Sequence, residues 1–136
     1  MAKSVLYART STSEQTIAHQ AKQAKQAGFQ IDDVIEDAGI SGVQIPLAER
    51  EGGKRLFDLL RDGDVLVVRW IDRLGRNYDD IQSNIRVFLD RGVTIKTVIN
   101  GMTFDAHPSD AMGKAVRDAM LSFMSAMAEA QAVATK

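Results

Sequence analysis

The sequence predicts an α/β domain: a largely parallel sheet of four or five strands flanked by helices, with a long projecting helix at its C-terminal end. Three observations carry this expectation. Short apolar runs alternate with amphipathic stretches up to residue 109, as strands and helices in alternation require. The segment "DVLVVRW" (64–70) is an unbroken apolar, β-branched run, the pattern of a strand buried on both faces of a parallel sheet. From Asp110 onward there is no proline and no glycine after Gly113, while Met112, Val116, Met120, Phe123 and Met127 recur at helical spacing.

Each element has its own warrant. "SVLYAR" (4–9) alternates Val5 and Tyr7 with Leu6 and Ala8, a first strand. "TIAHQAKQAKQAG" (16–28) spaces Ile17, Ala21 and Ala24 for a helix that Gly28 stops. "DDVIED" (32–37) is a short second strand and "AGISGVQIP" (38–46) a loop. Pro46 is expected to open a helix through Leu56, Leu59 and Leu60 to Gly63. The third strand is 64–70 and "IDRLGRN" (71–77) a polar, basic loop. "YDDIQSNIRVFLDRG" (78–92) places Ile81, Ile85, Phe88 and Leu89 on one helical face. "VTIKTVI" (93–99) is the fourth strand and 100–109 a loop, with room for an added edge strand.

Two units follow: a core over 1–109 and a terminal helix over 110–136. A helix of that length spans ~40 Å, more than the ~30 Å of a small domain. Its methionine-rich face is therefore expected to lie in water unless a second chain covers it, and such faces suit repacking against partners.

The 136 residues fit one domain with a core, and an apolar fraction of 45% with 26% charged residues is an ordinary globular balance. No apolar run reaches the ~18 residues of a membrane span and no signal-peptide pattern opens the chain, so a cytoplasmic location and no membrane partner are expected. With no cysteine, disulfides and thiolate metal sites are excluded. A net charge of −1 argues against a surface that grips nucleic acid throughout; basic residues would have to be concentrated, or a further segment would have to supply affinity.

The residues that can carry chemistry fall at strand ends. "VLYARTSTSEQ" (5–15) runs from the first strand through Arg9 and Thr10 into the hydroxyls of Ser11, Thr12 and Ser13, with no turn former. Asp37 ends the second strand; Asp72, Arg73 and Arg76 follow the third; Arg50 leads into a helix. Ligands of open parallel sheets sit at the carboxyl ends of strands, so these groups should converge. Clustered arginines repel one another without an anion, and their fork matches phosphate oxygens. No Walker loop and no metal-spaced cluster is present, so a phosphate site built on arginine, with a hydroxyl beside it and no cofactor, is expected.

Structural alternatives stand beside this. Ser11 precedes Glu14 by three positions and Thr12 precedes Gln15 by three, both capping-box spacings. "DRLGR" fits a solvated turn, Asp37 can begin a glycine-rich turn, and Trp70 suits packing. His19 and His107 are read as structural or solvated. A phosphate-binding or signalling module, with dimerisation as its purpose, is the non-catalytic rival.

In this order, "YARTSTSEQ" with "HQ" downstream, "EDAGISG", "EREGG" and "DRLGRN" resemble the catalytic domain of serine recombinases, in the small resolvase/invertase branch and nearest to transposon resolvases. The resemblance implies cleavage and rejoining of double-stranded DNA through a covalent 5′-phosphoserine link at Ser11, without metal or ATP. It implies that Arg9, Arg73 and Arg76 hold the scissile phosphate and that Arg50 is a further active-site arginine. It makes Asp72 an acid that orients the arginine pair or handles the leaving-group proton, and Tyr7, Gln15, Gln20 and Asp37 supporting polar positions. It further implies a homodimer through the 110–136 helix, a tetramer in the active synapse, and a DNA-binding helix-turn-helix domain absent from this chain, which reads as a catalytic fragment. Late in the last helix, where many relatives carry an acidic-basic pair, this chain has Gln131 and Ala132.

Overall fold

The computed structural model describes residues 3–10, 17–39, 45–108 and 111–134. Strands β1 (Ser4–Thr10), β2 (Asp33–Ala38), β3 (Val65–Val68), β4 (Thr94–Thr97) and β5 (Thr103–Phe104) alternate with helices α1 (Ile17–Gln26), α2 (Glu51–Leu59), α3 (Tyr78–Arg91) and α4 (Ala111–Ala134). Short 3-10 turns stand at Leu47–Glu49, Ile71–Leu74 and Ile99–Gly101. The sheet order is β2-β1-β3-β4-β5. The first four strands run parallel, and β5 is an added edge strand antiparallel to β4.

The alternation of side chains along the strands divides the core. Val5, Tyr7, Ile35, Leu66, Val68 and Ile95 point to the face covered by Leu56, Ile85, Phe88 and Leu121 from α2, α3 and α4. Leu6 and Val67 point to the other face, against Ala24 of α1. Both faces of β1 and β3 are thereby buried, which is why these strands read as continuous apolar runs. Each residue pair of neighbouring strands is in register, so Arg9 lies beside Asp37 at the carboxyl end of β1 and β2.

Several boundaries differ from expectation. Pro46 opens a 3-10 turn, not a continuous helix; the chain then extends at Arg50 (φ −77°, ψ 143°) before α2 begins at Glu51 and stops at Leu59. The break lets Arg50 turn its side chain into the interior, where it is only 1% exposed. Strand β3 is four residues long, and the segment after Trp70 coils into a 3-10 turn whose Ile71 and Leu74 are buried.

Helix α4 has 24 residues and lies antiparallel to α3, because Arg86 faces Asp118 at 3.9 Å and Gln82 donates to Ser122 Oγ at 3.3 Å. It buries Leu121 and Ser125, one turn apart. Of the apolar stripe read from the sequence, Phe123 and Met127 are 63% and 51% exposed. The side chains of Met112, Val116 and Met120 lie outside those described. Among the described residues no helix is long and apolar enough to cross a membrane.

Candidate active site

Asp37 is the centre from which the site is assembled. Its Oδ2 accepts a hydrogen bond from the Tyr7 hydroxyl at 2.7 Å, and its two oxygens accept from the backbone N–H groups of Gly52 (2.7 Å) and Gly53 (3.2 Å). These are amides from the first turn of α2, which lack partners inside the helix, so the carboxylate of β2 caps α2 and sits at the positive end of its dipole. Glycine is needed for this approach. A Cβ at Gly52 would lie 2.7 Å from Asp37 Oδ2, and one at Gly53 would collide with the Leu47 carbonyl oxygen.

Arg50 ties the loop before α2 to the 3-10 turn after β3. Its Nη1 donates to the Tyr7 hydroxyl at 3.1 Å and to the Arg73 carbonyl at 2.6 Å, and its Nε donates to the Ile45 carbonyl at 3.0 Å. The Tyr7 phenol thus accepts from a guanidinium and donates to a carboxylate. Burial pushes its pKa well above the ordinary phenol range, although the Arg50 charge pulls the other way. The hydroxyl keeps its proton, which is what the bond to Asp37 requires.

Arg9 and Arg73 are each 4% exposed. The Arg9 carbonyl accepts from Gln20 Nε2 of α1 at 3.1 Å, a bond that fastens the end of β1 to the helix following it. Arg73 Nη1 donates to Asp72 Oδ2 at 2.8 Å. The other oxygen of Asp72, Oδ1, is buried and has no hydrogen-bond partner among the described residues. Arg76 stands two residues past the 3-10 turn, exposed, with its backbone N–H bonded to Asp80 Oδ2 at 2.9 Å.

Tyr7, Asp37, Arg50 and Arg73 are therefore joined by a continuous chain of hydrogen bonds, and Gln20 joins Arg9 from the other face of the sheet. Three described bonds of Arg50 go to protein oxygens, so it braces the loop before α2 against β1 and the 3-10 turn after β3. Ser11 and Gln15 lie outside the described residues. Two contributors were missed in the sequence: the glycine pair that admits α2 to Asp37, and the Asp80–Asn84 pair on α3. The run "EREGG" held the first signal, since adjacent glycines at a helix start have poor helix propensity and imply close approach. Among the described residues no group of His, Asp or Glu side chains is placed to hold a metal ion. His107 is exposed and pairs with Asp62 at 2.9 Å, in the turn before β3 and so at the opposite end of that strand from Arg73.

At the carboxyl end of the parallel sheet stand two buried arginines, Arg9 and Arg73, and a turn bearing the Asp72 carboxylate. A family model, the N-terminal domain of resolvases, matches residues 4–136. This chain belongs to the resolvase N-terminal domain family. The transposon Tn2501 resolvase of Escherichia coli is 37% identical to it over 103 residues, 74% of this chain and 52% of that protein. The Tn3 resolvase of Escherichia coli is 33% identical over 125 residues, 92% of this chain and 61% of that protein. The serine recombinase PinR of Escherichia coli is 33% identical over 131 residues, 95% and 62% of the two chains. This resolvase domain thus spans between 52% and 62% of the length of these relatives. The solved N-terminal catalytic domain of the TP901-1 integrase superposes with a TM-score of 0.63 at 28% identity, covering 89% of this chain and 92% of that one.

Proposed function

We propose that this resolvase domain is the catalytic domain of a serine site-specific recombinase acting on double-stranded DNA, with Ser11 as nucleophile. The observation that carries the reading is the pairing of a family match over residues 4–136 with buried Arg9 and Arg73 at the carboxyl ends of the adjacent strands β1 and β3. Ser11 follows Arg9 by two residues in the sequence.

In the reaction, Ser11 Oγ attacks the phosphorus in line, forming a serine–phosphate ester and breaking the bond to the 3′ oxygen. Ser11 loses its proton and the departing 3′ oxygen gains one. Attack by a 3′-hydroxyl on the same phosphorus reverses both changes, so the ester conserves the bond energy and no nucleotide is consumed. A serine hydroxyl is a weak nucleophile on its own. Here guanidinium groups in a low-dielectric cleft favour the alkoxide and stabilise charge on the equatorial phosphate oxygens. Arg9, Arg73 and exposed Arg76 take that role. Asp72 orients Arg73 through Oδ2.

The reading includes association through α4, first as a dimer and then as a tetramer that brings two DNA sites together. Phe123 and Met127, exposed on α4, form the contact surface in this reading. The test is Ser11→Ala in a full-length version, incubated with a DNA substrate nicked to trap cleavage. DNA binding and self-association are expected to persist while the covalent protein–DNA adduct disappears. An adduct that survives removes the assignment.

A further inference from the structure

Beyond the groups that face the phosphate, the loop bearing Arg76 needs something to hold it, since it is a polar segment between a 3-10 turn and a helix. We infer that Asp80, in the first turn of α3, is the positioning residue for Arg76, with Asn84 as its support. Asp80 Oδ2 accepts the Arg76 backbone N–H at 2.9 Å and the Leu47 backbone N–H at 3.3 Å. Its Oδ1 accepts from Asn84 Nδ2 at 3.1 Å, and the same Nδ2 donates to the Leu74 carbonyl at 2.8 Å. One carboxylate and one amide therefore grip the 74–76 segment at both ends, and Asp80 also anchors the turn that leads to Arg50.

The backbone between them is pressed against the helix. Gly75 is fully extended (φ 178°, ψ 175°), and a Cβ there would lie 2.6 Å from the Ile81 nitrogen and 2.9 Å from Asp80 Oδ2. Helix α3 begins with Asn77, whose side chain caps the Asp80 N–H at 2.9 Å. Asp80 directs Oδ2 away from the helix to the Arg76 and Leu47 amides, while Oδ1 is held by Asn84 one turn further along α3. Arg76 has an exposed side chain, so its aim depends on its backbone more than on side-chain packing. Small errors in placement of a transition-state group are costly, about 10²-fold for ~1 Å.

This inference rests on the reading of Arg76 as a phosphate-binding group, and a double-mutant cycle separates the two. Cleavage of nicked DNA by the full chain is measured for Asp80→Ala, Arg76→Ala and both together, alongside DNA binding and thermal unfolding. Asp80→Ala is expected to slow cleavage by about 10²-fold with DNA affinity unchanged. In the Arg76→Ala background the same change is expected to cost no more than about threefold, because the group it positions is gone. Asp80→Asn, which keeps one acceptor for the Arg76 N–H, is expected to restore cleavage to within about tenfold of the native rate, and takes the place of the alanine variant in the cycle if that variant does not fold. Equal losses in both backgrounds, or no loss from Asp80→Ala, overturn the positioning role while leaving the phosphate reading intact. Unaltered cleavage by Arg76→Ala overturns the phosphate reading, and the positioning role with it.

Discussion

Tyr7 occupies the middle of the hydrogen-bonded chain between Arg50 and Asp37, and its proton has a measurable consequence. In the folded domain burial raises the phenol pKa above its ordinary value of 10.0. Above that pH the unfolded chain loses the Tyr7 proton while the folded chain keeps it, so the folded state binds more protons and stability falls as pH rises. The slope from this group approaches ~1.4 kcal/mol per pH unit. Urea unfolding followed from about pH 9 to about pH 11 should show the decline, and Tyr7→Phe should flatten it. The same variant should cost about 1–3 kcal/mol at neutral pH, because it removes a partner from both Asp37 and Arg50. Arg73 supports a second prediction. Arg73→Lys keeps the charge but loses the planar fork, and cleavage should fall about 10²-fold with DNA affinity little changed; unchanged cleavage in a single-turnover assay would count against contact with the phosphate.

At the scale of elements, the start of α2 is the junction on which the site depends. Gly53→Ala forces a methyl group against the Leu47 carbonyl, so either the 3-10 turn or the helix has to move. A loss of about 1–3 kcal/mol is expected in equilibrium unfolding, with weakened cleavage because the same turn carries Arg50. Much of this architecture was legible beforehand. Strands β1 and β3 announced themselves through apolar runs, and α3 through Ile81, Ile85 and Phe88. The start of α2 was not legible, since Pro46 fits an α-helix and a 3-10 turn equally well. Only the inward path of Arg50 decides between them, and that depends on Tyr7 and Arg73, 43 and 23 residues away in sequence. Strand β5 is two residues long, too short for any periodicity to register. At the site, Arg9 and Asp37 were legible as strand-end residues; that they lie side by side comes from the strand order, which the sequence did not show. The bonds of Arg50 to Tyr7 and to the Arg73 carbonyl were not legible, because residue type alone does not say which protein oxygens an arginine reaches.

For the molecule as a whole, the proposed reading makes α4 the link between chemistry and assembly: its buried side touches the 3-10 turn carrying Arg73, while Phe123 and Met127 face outward. Replacing both exposed residues with aspartate should shift sedimentation toward the monomer without lowering the unfolding temperature appreciably; an unchanged oligomer would show that another surface is used. The central claim is that a hydroxyl beside a set of guanidinium groups becomes joined to DNA. The most direct measurement is to trap cleavage on nicked DNA, digest the product and locate the phosphonucleotide by tandem mass spectrometry. The account predicts a 5′-phosphate ester on Ser11. An ester on Thr10, Thr12 or Ser13, or cleaved DNA with no protein attached, would contradict it.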